Sequence, residues 1–304
     1  MLSALPVLSI CGDPGVGRTC LIRDIVQQFQ QRGIRARHLA ANAGLTAQQL
    51  QDGARRYDLV LVEDLNMPSV PVLWLSGEHE RPAGSQIVAV AEKGPGRREA
   101  MIHGIDAFLL RQWRATPVLG CLLIGGRSTR MGHAKHQIVR DGQTWLQRTA
   151  ATLAQVCGQV VVVGQGDMEG CGLPQLSDVP GCAGPMAGLL SAMRSFPWNT
   201  ILACACDMPE MSADALVWLL DQRQPGRRAV IPQVDGRYEP LLALYDFRMF
   251  SDVEVLASQQ RWRLSALAAV DGAYVVEPPS VLRRSWHNLN SQEMLCARDV
   301  VVTR

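Results

Sequence analysis

The sequence predicts an α/β protein built as two three-layer α/β/α domains. A small phosphate-loop domain comes first, then a Rossmann-like domain with a mostly parallel sheet. Three observations carry this. Short apolar runs alternate with helical stripes along all 304 residues, the rhythm of parallel strands covered on both faces by crossover helices. Two segments, Leu5 to Gly33 and Val118 to about Val156, repeat one design of strand, glycine-rich loop and helix. A hydrophobic content of 47% in a chain of this length supports two cores. The boundary is expected near Thr116, giving domains 1–116 and 117–304, with Arg111 to Pro117 as a basic linker broken by proline.

In the first domain, Val7 to Ile10 forms a strand that enters Gly12-Asp-Pro-Gly-Val-Gly-Arg18-Thr19. A helix follows, with Leu21, Ile22, Ile25, Val26 and Phe29 on one face and Gly33 at its end. Leu59 to Val62 is a second strand running into Glu63-Asp64, and Val70 to Leu75 and Ile87 to Val90 are further strands. The loop fits the phosphate-binding pattern GxxxxGK[ST] at Gly12, Gly17 and Thr19, with Gly15 inside it, but Arg18 stands where lysine belongs. In a working loop the lysine reaches the β and γ phosphates and the Thr19 position holds Mg²⁺, with Glu63 or Asp64 as the acidic partner. Three readings stay open: a nucleotide site of low affinity, a degenerate loop kept for docking, or a full GTPase.

The second domain opens with Leu122-Leu-Ile124, broken by Gly125-Gly126 and followed by a small basic loop holding Ser128, Arg130, Gly132 and Lys135. Paired glycines let main-chain N–H groups approach a bulky anion. Of the 30 basic residues only Lys93 and Lys135 are lysines, so a compact ammonium at Lys135 points to a task that a guanidinium fork does not perform. Trp145, Leu146, Leu153 and Val156 make a helix stripe, and Val160 to Val163 and Thr200 to Cys206 are strands, the latter ending at Asp207. Strand C-termini line the ligand crevice of an open parallel sheet, so Asp207 and the Gly125 loop should share one edge. Asp178 opens a loop reaching Gly188 that is too rich in glycine and proline for regular structure and feeds a helix beginning near Leu189. Ala215 to Leu220 reads as a helix, Ala229 to Ile231 as a strand, and the chain is expected to close with Trp286-His-Asn-Leu-Asn290 and a final helix.

Composition narrows the function classes. Net charge is +2, with no basic stripe or aromatic-studded groove for nucleic acid. No apolar run is long enough to span a membrane, and Met1 to Cys11 reads as a first strand rather than a signal peptide. Nine scattered cysteines without zinc-finger spacing fit a reduced, cytoplasmic setting. Cys204 and Cys206 read as buried thiols, and His133 and His136 as loop residues beside Lys135.

On these motifs, Val118 to Arg304 resembles the molybdenum-cofactor guanylyltransferases of the MobA type. Their opening signature L-x-G-G-x-S-x-R-M-G-x-x-K is met by Leu123, Gly125, Gly126, Ser128, Arg130, Met131, Gly132 and Lys135. The loop D-x-x-P-G-x-G-P-L-A-G is similar to Asp178 to Gly188, with one added residue and Met186 for leucine. C-D-x-P corresponds to Cys206, Asp207 and Pro209, P-L-x-A-L-Y to Pro240 to Tyr245, and the late N-x-N motif to Asn288 and Asn290. The first domain resembles the MobB partner, a phosphate-loop nucleotide binder, in shortened form, with Asp64 in place of a glycine.

The resemblance implies GMP transfer from GTP to the terminal phosphate of molybdopterin, releasing pyrophosphate. It places Lys135 and Arg130 on the phosphates and Asp207 on Mg²⁺. Leu123, Gly125, Gly126, Ser128, Gly132 and Asp178 line the nucleotide, and Asn288 and Asn290 face the pterin, although Asn290 with Glu293 also fits a helix-capping box. It further implies contacts with molybdopterin-delivering proteins and client molybdoenzymes. A cytidylyltransferase using CTP, a sugar-phosphate nucleotidyltransferase and a non-catalytic molybdopterin-binding adaptor stay open as alternatives.

Overall fold

A computed structural model describes residues 5–12, 18–40, 44–65, 67–76, 86–125, 135–140, 142–166, 168 and 171–287, without the side chains of 135 and 140. The chain divides into two compact units, Met1–Thr116 with Gln224–Gly226, and Pro117–Arg223 with Arg227–Arg304.

The first unit contains β1 (Val7–Gly12), α1 (Arg18–Gln31), β2 (Ala36–Leu39), α2 (Ala47–Arg56), β3 (Leu59–Glu63), β4 (Val72–Leu75), β5 (Ile87–Ala91) and α3 (Arg97–Ala115). Its strands lie in the order β2-β3-β1-β4-β5, and every pairing is parallel. Strand order therefore reverses at β1, which has β3 on one side and β4 on the other. Leu8, Ile10, Leu59, Leu61 and Leu73 pack with Ile22, Ile25 and Phe29 of α1 and with Met101, Ile105 and Phe108 of α3. Gly53 of α2 approaches Val60, whose side chain leaves β3 on the opposite face.

Helix α1 closes as its sequence suggests. Gly33 has φ 79°, and Ile34 N–H donates to the Phe29 carbonyl at 3.0 Å, the six-to-one bond of a glycine-terminated helix. Other expectations fail. The supposed linker from Arg111 is the last turn of α3, because Trp113 and Gln112 are buried and a large apolar ring keeps the chain helical until Thr116. Strand β4 begins at Val72, since Val70 is spent on a turn to the Met67 carbonyl.

The second unit runs β6 (Val118–Leu123), β7 (Val139–Arg140), β8 (Gln143–Thr144), α4 (Trp145–Ala154), β9 (Gln159–Val163), β10 (Gln175–Leu176), α5 (Pro185–Ser195), β11 (Thr200–Ala205), α6 (Ala213–Asp221), β12 (Ala229–Val234), β13 (Arg237–Tyr238), β14 (Leu242–Tyr245), α7 (Phe250–Ser258) and β15 (Ala273–Val276). Its sheet has the order β10-β9-β6-β11-β14-β12-β13, with β15 beside β12. The strands from β10 to β11 are parallel, whereas β14 runs antiparallel to both β11 and β12. The sheet is thus mixed.

Alternation along the strands builds two apolar layers. Leu122, Val160, Val162 and Leu202 meet α4 and α6 on one face. Leu119, Cys121, Leu123, Val161 and Ile201 meet α5 and α7 on the other. Helix α5 starts at Pro185, earlier than expected, because proline with its fixed φ suits the first helical position after Gly184 at φ 66°.

Candidate active site

Strand β6 lies inside the second unit's sheet, with β9 on one side and β11 on the other. Chain order reverses there, which makes the carboxyl ends of β6 and β11 a crevice. Leu123 pairs with Ala205 across those two strands. Gly125 follows Leu123 by two residues and Asp207 follows Ala205 by two, so both leave the sheet at one level, from strands about 4.8 Å apart. Gly125 has φ 120°, a conformation that admits glycine and strains other residues. The turn that carries half-buried Asp207 is anchored by Met208, which is 1% exposed, and by Ala205 N–H donating to the Leu241 carbonyl at 2.9 Å.

Asp178 reaches the same edge from the loop between β10 and α5. Ser191 Oγ donates to the Ser177 carbonyl at 2.7 Å, tying that loop to α5. Helix α5 can press against β6 because Gly188 lacks a side chain: a Cβ there would lie 2.6 Å from Leu123 Cδ2 and 3.4 Å from Asp178 Oδ1. Asp178 therefore lies over the junction of α5 with the end of β6. Partial burial raises its carboxyl pKa above the ordinary aspartate value.

One feature of this edge carries no motif. At the end of β9, Gly164 has φ 118°, and its Cα packs so tightly on the Ile124 carbonyl that no Cβ could be accommodated. Two residues on, a Cβ at Gly166 would lie 2.7 Å from Cε1 and 2.8 Å from Nε2 of the buried His136 ring. Gln175 Nε2 donates to the Gly164 carbonyl at 2.9 Å. The segment 164–166 is thereby packed against both Ile124 and His136, which flank residues 126–134 in sequence. Glycines at positions 164 and 166, directly after an apolar strand, are the signal that sequence reading passes over.

Glu239 is a further addition to the edge. Strand β14 runs opposite to β11, so the residues before it come to the carboxyl end of β11, with Leu242 opposite Cys204. Burial raises the Glu239 carboxyl pKa, partly offset by Arg237.

Of the residues expected from sequence, Leu123, Gly125, Asp178 and Asp207 are brought to one edge. Lys135 opens a 3₁₀ turn, Lys135–Gln137, that leads into β7. Its side chain lies outside the described atoms, as do the residues Gly126, Ser128, Arg130 and Gly132. Asn288 and Asn290 and the expected final helix also lie outside the described residues. The described chain reaches His287, whose Nδ1 is 3.8 Å from Glu210 Oε2 in the turn after Asp207. Ser285 Oγ donates to the Glu210 carbonyl at 3.2 Å and Trp286 Nε1 to the Leu242 carbonyl at 3.0 Å.

In the first unit, Gly12 ends β1, and a Cβ on it would meet the Leu75 carbonyl oxygen at 2.6 Å. Gly15 and Gly17 lie outside the described residues. Arg18 and Thr19 begin α1. The Glu63 carboxylate, expected beside a metal, instead has Oε1 at 3.2 Å from His38 Nε2.

Among the described residues no group of three or more His, Cys, Asp or Glu side chains is placed to hold a metal ion. A magnesium ion that arrives on substrate phosphates needs only one or two protein carboxylates. The hard oxygens of Asp207, at the crevice and half-buried, fit that role.

Comparison with known proteins agrees with this architecture. The family model described as a MobA-like NTP transferase domain matches residues 120–273. A protein of Halalkalibacterium halodurans named a probable molybdenum cofactor guanylyltransferase is 30% identical over 190 residues, covering 58% of this chain and 95% of that protein. A protein of the same name from Bacillus cereus is 26% identical over 183 residues, covering 57% and 92%. Among solved structures, molybdopterin-guanine dinucleotide biosynthesis protein A of Archaeoglobus fulgidus aligns with a TM-score of 0.50 at 22% identity over 59% of this chain and 95% of that one. A nucleotidyl transferase of Methanothermobacter thermautotroptrophicus aligns with a TM-score of 0.50 at 19% identity, over 61% and 97%. With strand order, crevice and sequence match in agreement, the chain belongs to the MobA-like NTP transferase family.

Proposed function

We propose that the chain is a molybdenum cofactor guanylyltransferase, moving GMP from GTP to the terminal phosphate of molybdopterin with release of pyrophosphate. The observation that carries it is the meeting of Gly125 and Asp207 at adjacent strand ends, within a family whose similar members bear that name. The acceptor phosphate is already anionic at neutral pH, so no general base is required. Catalysis then rests on in-line positioning and charge neutralisation. In this reading the Gly125, Gly126 and Gly132 positions and Ser128 cradle the triphosphate, and Lys135 and Arg130 neutralise it. Leu123 and Asp178 border the nucleotide, and Asn288 and Asn290 face the pterin. Asp207 holds Mg²⁺, whose chemistry is to screen phosphate charge and stabilise the leaving pyrophosphate.

Residues 1–116 are read as a reduced MobB-like phosphate-loop unit. An all-parallel sheet whose strand order reverses at its central strand supports that reading. Molybdopterin-delivering proteins and client molybdoenzymes are the proposed partners, and the cytoplasm the proposed location. No described helix is long and apolar enough to cross a membrane.

Pyrophosphate release with GTP and with CTP tests the transfer. GTP is expected to support turnover and CTP not. Lys135→Ala and Asp207→Ala are each expected to lower the rate roughly 100-fold or more, the scale of losing one group that stabilises transition-state charge. A rate unaffected by both substitutions would remove the site assignment, and binding of molybdopterin without pyrophosphate release would favour the adaptor.

A further inference from the structure

A glycine is kept either for its backbone or for the space that its missing side chain leaves. Gly164 and Gly166, both just after β9, divide these two needs. Gly164 has φ 118°, a conformation that side chains rarely adopt. Gly166 lies outside that left-handed region, so its backbone would accept alanine. What it does not accept is the volume. A Cβ at Gly166 would lie within 2.8 Å of two atoms of the His136 ring and 3.1 Å from Ile124 Cδ1. Gly166 is therefore glycine for the sake of a ring far earlier in the chain.

That ring belongs to the 3₁₀ turn Lys135–Gln137. The turn is fixed on its far side as well, because Trp145 N–H at the start of α4 donates to the Ile138 carbonyl at 2.8 Å. Ile138 and Trp145 are both buried, and His136 itself is 6% exposed. Displacing the ring thus strains the turn that carries it. The segment 164–166 is held just as firmly. Gly164 N–H donates to the Leu176 carbonyl at 3.0 Å. Gln175 Nε2 donates to the carbonyls of Gly164 at 2.9 Å and of Gly166 at 3.4 Å. Ile124 N–H donates to the Val163 carbonyl at 2.9 Å, which ties the same corner to the end of β6.

We propose that Gly166 and Gln175 are positioning residues for nucleotide binding by the second unit, acting through Lys135. They hold the His136 ring, and the ring sets where the adjoining Lys135 backbone lies beside the ends of β6 and β9. A lysine ammonium sits on a flexible four-carbon stem, so its placement against a phosphate depends on the backbone that carries it. The inference rests on the reading of Lys135 as a phosphate ligand and adds to it the residues that aim it.

The test is isothermal titration of the full chain with α,β-methylene GTP and with the matching CTP analogue, each with Mg²⁺. Wild type is compared with Gly166→Ala, Gln175→Ala, Lys135→Ala and the double variant Gly166→Ala/Lys135→Ala. Gly166→Ala is expected to raise the Kd about tenfold, the scale of one hydrogen bond to a charged group. Gln175→Ala, which adds no bulk, shifts Kd in the same direction and keeps the test open if Gly166→Ala does not fold. In the Lys135→Ala background, Gly166→Ala is expected to cost no more than about twofold, because residues acting through one another are not additive. Reduced stoichiometry at unchanged Kd marks a damaged fold and overturns the proposal. So do wild-type affinity in the folded Gly166→Ala and Gln175→Ala variants, and a Gly166→Ala cost undiminished by loss of Lys135. A wild type that binds the analogue but releases no pyrophosphate from GTP removes the transfer reading and leaves the brace standing. A wild type that binds neither analogue removes both.

Discussion

The carboxyl of Asp178 is harder to ionise in the folded protein than in the open chain, because it is partly buried over Gly188 and Leu123. A raised carboxylate pKa means that the native state binds the proton more tightly than the unfolded state. Stability therefore falls as pH rises from the ordinary aspartate range through the raised value, and the full cost is borne at neutral pH. Asp178→Asn removes that cost. Its urea midpoint is expected to exceed wild type at pH 7.5, with the gain shrinking toward pH 4.5, while GTP-dependent pyrophosphate release declines. Position was legible for Asp178, Asp207 and Gly125, since each interrupts an apolar run or a strand end. Gly164, Gly166 and His136 were not legible. Their requirement comes from contacts with backbone and rings far away in sequence, as Gly164 does with Ile124.

At the scale of elements, what the sequence conceals is direction. Nothing in the apolar Pro240 to Tyr245 run says that β14 runs against β11, because period-two alternation is the same read either way. Strand β2 also escaped notice: Arg37 and His38 break its apolar pattern, and as an edge strand it buries fewer side chains. Helix starts are better encoded. Thr144 accepts from Gln147 N–H at 3.1 Å while the Gln147 side chain accepts from Thr144 N–H at 2.9 Å, a capping box at the start of α4. Thr144→Ala is expected to lower stability by about 1 kcal/mol. Urea unfolding checks this as a shift of midpoint with an unchanged slope.

For the molecule as a whole, the distribution of thiols follows from the layers. Cys121, Cys157 and Cys204 are buried in the second unit. Burial pushes the Cys121 and Cys157 thiols up to about 12, and that of Cys204 well above its ordinary value. They stay protonated at neutral pH, out of reach of aqueous disulfide reagents. Cys20 is exposed on α1. Labelling with a chromogenic disulfide under native conditions is expected to modify Cys20 rapidly and to leave those three silent until denaturant is added. Labelling of Cys121 in the native state would contradict the layering.

The imidazole of His136 rests where a methyl group at position 166 would have to go. Position 166 is thus not free to vary alone. A lineage that gains a side chain at 166 must first surrender the ring at 136, while loss of the ring leaves 166 open to substitution. Divergence here has a fixed order of steps, and a random library of this chain should yield the pair in that sequence.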